Sequence, residues 1–103
     1  MIKVVLSAKN KELRKINILG HADYNFNGND IVCSSVSSIM TTTVNGILRF
    51  NNKYISYQEK KDDFEIVINE HNEIVDNLIE NMIDLFKELE RDYPKNIKIE
   101  EEN

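Results

Sequence analysis

Cysteine is almost missing from this 103-residue chain, with Cys33 the only one. A single thiol excludes an internal disulfide, and with two histidines in the whole sequence it falls short of the ligand set of a typical structural zinc site. Reactivity or plain packing is left to explain it. Long apolar runs are missing too. The amino end, Met1 to Lys9, is broken by Lys3 and Lys9, which fits neither a signal-peptide core nor a membrane span, and no later run reads as long enough. With no disulfide and no export signal, the expected location is the cytoplasm, without membrane association. Positive charge is in deficit: 13 basic against 18 acidic side chains give a net charge of −5. That excludes a general phosphate-binding surface, so direct nucleic-acid binding is not expected, while basic protein or peptide partners fit. Part of the excess comes from Glu100-Glu101-Glu102, read as a solvated, frayed terminus. The length gives one domain, residues 1–103, with little room for a separate substrate module.

What is present is periodicity. Ile2, Val4 and Leu6 alternate with Lys3, Val5 and Ser7, and a second β-prone run spans Leu13 to Leu19 after the turn-like Lys9-Asn10-Lys11. These form a hairpin that leads into Gly20-His21. Residues 22–29 are polar, with Tyr24 and Phe26 the only large side chains, and read as a loop. From about Ile31 to Phe50, Val32, Val36, Ile39, Met40, Val44, Ile47 and Leu48 recur at helical spacing, with Asn29 or Asp30 placed to cap the start. Lys53 to Gln58 and Phe64 to Ile68 predict a second hairpin. Val75, Leu78, Ile79, Met82, Leu85, Phe86 and Leu89 predict a strongly amphipathic second helix, stopped before the only proline, Pro94. Asn96 to Glu100 adds a last strand. The order ββαββαβ predicts an α+β, two-layer domain, a mostly antiparallel sheet with two helices packed on one face.

Cys33 lies twelve residues after His21. With Asp30 as the cap, Cys33 falls in the first helical turn, where unpaired backbone N–H groups and the helix dipole favour a thiolate. His21, at the end of the second strand, then serves as base and later as acid. Taken without its neighbours, Cys33 reads first as a small buried side chain, since it is angularly close to Val36, Met40 and Val44 and free cysteine is among the most buried residue types; its joint placement with His21 around the polar loop is what favours the reactive reading. Asp30 either caps the helix or orients the imidazole. Ser37, one turn beyond Cys33, either hydrogen-bonds in the site or back to the helix carbonyl. Gly20 and Gly28 allow close approach or positive φ at the loop edges. His71 reads as an exposed polar residue near the cap of the second helix, outside the site.

The segment Gly20-His21-Ala22, followed by Gly28-Asn29-Asp30-Ile31-Val32-Cys33 and then Ser37, resembles the ribosomal-processing cysteine protease family, called Prp. The resemblance implies a cytoplasmic cysteine endopeptidase that removes the N-terminal extension of bacterial large-subunit ribosomal protein number twenty-seven. It implies a homodimer of small α+β subunits and no metal or other cofactor. Carried over residue by residue, it makes Cys33 the nucleophile and His21 the base of a dyad working through a thioester, with Asp30, Ser37, Gly20 and Gly28 as supporting site residues. Tyr24 and Phe26 are the candidates for covering the substrate peptide from the loop. Ser34-Ser35 follow the cysteine where the family commonly has small nonpolar residues. The alternatives are a non-catalytic ribosome-assembly or peptide-binding partner, and a thiol redox sensor.

Overall fold

Alternation along the first two strands commits one face of each to the interior. In the computed structural model, which describes residues 1–20 and 29–103, β1 (Ile2–Lys9) buries Ile2, Val4 and Leu6, and β2 (Glu12–Leu19) buries Ile16 and Ile18. Their register sets Val4 opposite Ile18 and Leu6 opposite Ile16, so the buried pairs stack in one layer. The connecting turn places Asn10 at φ 56° and Lys11 at φ 65°. Two consecutive left-handed residues give a turn whose twist matches that of the strands it joins, and asparagine tolerates that conformation well.

The second hairpin, β3 (Ile55–Lys60) and β4 (Asp63–Ile68), adds to the β2 side, and β5 (Ile97–Glu102) pairs in parallel with β1. The sheet order is β3-β4-β2-β1-β5, antiparallel throughout except for the last pair. This is the α+β arrangement in the order ββαββαβ. The β3 strand begins later than the sequence pattern suggests because a tight turn holds Asn51 to Tyr54: Tyr54 N–H donates to the Asn51 carbonyl, and Lys53 N–H to the Asn51 side chain.

The acidic end is a correction. Glu100, Glu101 and Glu102 are strand residues opposite Val5, Leu6 and Ser7, not a frayed tail. Ladder pairing uses backbone groups, which like-charged side chains do not remove, and Ile97, fully buried, anchors the strand from its start. The edge is also covered from above, where the Glu90 carboxylate accepts from Ile99 N–H at 2.8 Å.

Helices α1 (Asn29–Phe50) and α2 (Glu73–Asp92) pack on the buried face of the sheet. From α1 come Val32, Cys33, Val36, Met40, Val44 and Ile47, and from α2 Val75, Ile79, Met82 and Phe86. Contrary to the reading that no run is long enough, α1 has the length and apolar composition of a membrane-crossing helix. Here its apolar stripe belongs to the core that also holds the strand residues. At the start of α2, the Asn72 side chain accepts from Val75 N–H at 2.9 Å. Asn72→Ala is expected to lower stability by about 1 kcal/mol in urea unfolding, the usual loss when a capping acceptor is removed. An unchanged midpoint would show the cap to be dispensable.

Candidate active site

Among the candidate site residues, Gly20 is the last described one before the stretch that holds His21. It stands at φ 84°, and its N–H donates to the Asp62 carbonyl at 3.0 Å, extending the β2–β4 pairing by one step into the turn between β3 and β4. A Cβ on Gly20 would lie 2.5 Å from the carbonyl oxygen of Met1. The start of β1, the end of β2 and the β3–β4 turn therefore meet at a point that admits no side chain. The next residue along the chain is His21.

His21, Tyr24, Phe26 and Gly28 fall outside the described residues, as does the 22–29 loop up to Gly28. At the far side of that stretch α1 begins at Asn29, so Asp30 is the second residue of the helix and Cys33 the fifth. Cys33 thus opens the second turn, two positions deeper than a cap at Asp30 would put it, because helical geometry extends back to Asn29 and places both cap candidates, Asn29 and Asp30, inside the helix. It is 5 % exposed and belongs to the hydrophobic core with Val32 and Val36. Ser37, one turn further on, is half-buried. Both readings of Cys33 meet here: it packs as a core residue, and it does so near the amino end of the helix that follows Gly20.

Three features at this end of the sheet went unread in the sequence. Asn17 donates to Asp63 at 3.0 Å and to Glu65 at 3.3 Å, and Lys15 lies 3.9 Å from Glu65, forming a polar ladder across β2 and β4. The Asp62 Oδ1 is buried and has no hydrogen-bond partner among the described residues. Tyr57 stacks on Phe64 with ring centroids 5.6 Å apart and planes 12° from parallel, leaving Tyr57 53 % exposed on edge strand β3. The ladder and the ring stack depend on strand register, and only the alternation of Asp63, Glu65 and Val67 hinted at a shared face.

His71 is also a correction. Rather than an exposed polar residue, it is an anchored one: its side chain is 23 % exposed, Nδ1 lies 2.7 Å from Asp76 Oδ1, and Nε2 lies 2.7 Å from the Leu13 carbonyl. Leu13 is near the opposite end of β2 from Gly20, roughly 23 Å away at about 3.3 Å per residue. No grouping of three His, Cys, Asp or Glu side chains able to hold a metal occurs among the described residues.

The family model described as "Cysteine protease Prp" matches residues 1–98. The ribosomal processing cysteine protease Prp of Staphylococcus aureus (strain Mu50 / ATCC 700699) is 28 % identical over 83 residues, covering 78 % of each chain. Among crystal structures, the essential ribosomal processing protease Prp from S. aureus in complex with a substrate peptide superposes with a TM-score of 0.90 at 22 % identity, over 99 % of this chain and all of that one. The S. aureus protease with a covalently linked product peptide superposes at 0.85 and 23 %, with the same coverage. These two likenesses establish the shared fold. The match across residues 1–98, on a chain whose single thiol stands near the start of α1, makes this protein a member of the cysteine protease Prp family.

Proposed function

We propose that this protease removes the N-terminal extension of bacterial large-subunit ribosomal protein number twenty-seven, with Cys33 as nucleophile and His21 as its base. The observation that carries the reading is the count of candidates. A cysteine protease needs a thiol, and Cys33 is the only one. Of two histidines, His71 is engaged with Leu13 and Asp76 near the far end of β2, which leaves His21 for the dyad. The substrate class is supported by the S. aureus relative, a ribosomal processing protease crystallised with a substrate peptide.

The chemistry follows from those two groups. His21 takes the Cys33 proton, and the thiolate sulfur bonds to the scissile carbonyl carbon. The oxyanion is met by backbone N–H groups at the start of α1, which have no intrahelical acceptor. Collapse breaks the C–N bond as the imidazolium returns its proton to the leaving amine. Water, deprotonated by the same imidazole, then hydrolyses the thioester and restores the thiol. Asp30 and Ser37 support the site in this reading, together with Gly20 and Gly28, while Tyr24 and Phe26 cover the peptide. A redox-sensing role would instead show as reversible oxidation of Cys33 linked to a change in partner binding, with no dependence of peptide cleavage on His21.

The test is cleavage of a peptide carrying the extension and the first residues of the mature ribosomal protein, followed by mass spectrometry. One cut and an acyl-enzyme adduct on Cys33 are expected. Binding without turnover by the native chain would instead favour a peptide-binding partner. A cytoplasmic homodimer remains part of the proposal, and sedimentation at micromolar concentration tests the dimer.

A further inference from the structure

At the hairpin end of the sheet, away from Gly20, titratable side chains converge that the proposed proteolysis does not use. The β2–β4 ladder runs only from Lys15 to Leu19, so the Leu13 carbonyl lies past its end. His71, in the connection from β4 to α2, reaches that carbonyl with Nε2 and the Asp76 carboxylate with Nδ1, both at 2.7 Å. A carbonyl and an ionised carboxylate offer no proton. Only the imidazolium can donate from both nitrogens at once.

The surrounding charges favour that state. From β2, Glu12 Oε1 lies 3.8 Å from Nε2 and is itself 3.1 Å from Arg14, and from α2 comes Asp76. Lys11, Glu80, Asp84 and Lys87 line the same cavity of about 440 Å³, whose apolar lining includes Ile68 and Ile79. Burial alone would lower the ring's pKa. The hydrogen bond to Asp76 opposes it, joined by the Leu13 carbonyl and the charges of Glu12 and Asp76, and the balance lies above the ordinary 6.5.

We infer that His71 is a proton-operated clasp between the β1–β2 hairpin and α2: doubly protonated it holds both Leu13 and Asp76, and on losing one proton it keeps Leu13 and releases Asp76. The neutral ring has a single N–H to assign. The contact with the Leu13 carbonyl is partly buried, whereas the Asp76 side chain is 52 % exposed, so water replaces the ring at the carboxylate with less loss. The neutral form is therefore the Nε2–H tautomer, and the first turn of α2 loosens over the cavity. Because the folded-state pKa is raised, the stabilisation is fully present below the unfolded value and fades as pH rises through the folded one.

The full-length chain and His71→Gln are compared by urea unfolding at about pH 6 and pH 8.5, on either side of ordinary histidine titration. The native midpoint is expected to exceed the variant's at the lower pH, with the gap shrinking at the higher. Comparing the two chains cancels any contribution from His21. Nitrogen NMR of the native ring should report Nε2–H at high pH, and Asp76→Asn, which keeps an acceptor oxygen in place, should lower the His71 titration midpoint. A gap equal at both pH values, an Nδ1–H ring, or a titration unmoved by Asp76→Asn each overturns the clasp. Should His71→Gln not fold, the Asp76→Asn titration decides alone.

Discussion

Cys33→Ala is expected to abolish peptide cleavage, lowering kcat by roughly 10⁴-fold or more, the scale on which nucleophile deletions act. His21→Ala should fall nearly as far, and the double variant no further. In the proposed dyad the two groups act as one unit, because a thiol without its base forms little thiolate and a base without its thiol has nothing to activate. Kinetic non-additivity is therefore the signature of the dyad, and additive losses would argue that His21 acts elsewhere. Burial of Cys33 makes the control essential. It is 5 % exposed among Val32 and Val36, so truncation leaves a small cavity costing about 1 kcal/mol. Urea midpoints within that margin attribute the lost activity to chemistry. Cys33→Ser checks the same point with the volume kept, since its hydroxyl can bond back to the helix carbonyl one turn earlier and its high pKa leaves it inert. Full cleavage by Cys33→Ala would remove the thiol from the mechanism.

The fold was legible wherever burial repeats with a local period. Ile2, Val4 and Leu6 at every second position, and Val75, Ile79, Met82 and Phe86 at helical spacing, are the residues the core contains. What escaped was set by partners distant in the chain. Glu100 to Glu102 look like a solvated tail until β1 supplies their ladder, and His71 looks exposed until Leu13, 58 positions away, supplies its acceptor. The ladder from Asn17 to Asp63 and Glu65 has the same origin, for register joins residues that no sequence window contains. At the site the division runs the same way. Cys33 is marked by being alone, whereas its depth, second turn rather than first, depends on where α1 starts. Gly20 was readable as a glycine with a reason; the reason itself, the carbonyl of Met1, was not.

That reason gives the other large effect. Gly20→Ala is expected to destabilise the fold by about 3 kcal/mol, combining a left-handed backbone cost of roughly 1–2 kcal/mol with the loss of hydrogen-bond geometry around it. At φ 84° an alanine is strained even in open space, and the space is closed: its Cβ would stand 2.5 Å from a backbone oxygen, which cannot rotate away as a side chain would. Relief requires either Met1 to withdraw, pulling on the Ile2 N–H bond to the Asn96 carbonyl at 2.9 Å, or Gly20 to withdraw from the Asp62 carbonyl. The first loosens β1 against the start of β5. The second swings the backbone that leads into His21. If His21 is the base proposed above, activity should fall by more than the unfolded fraction explains, because a catalytic group displaced by about 1 Å costs up to 10²-fold. Urea unfolding and cleavage measured on the same preparation separate the two contributions. If Gly20→Ala were as stable as the native chain, the close contact with Met1 would have relaxed without cost, and Gly20 would be an ordinary turn residue.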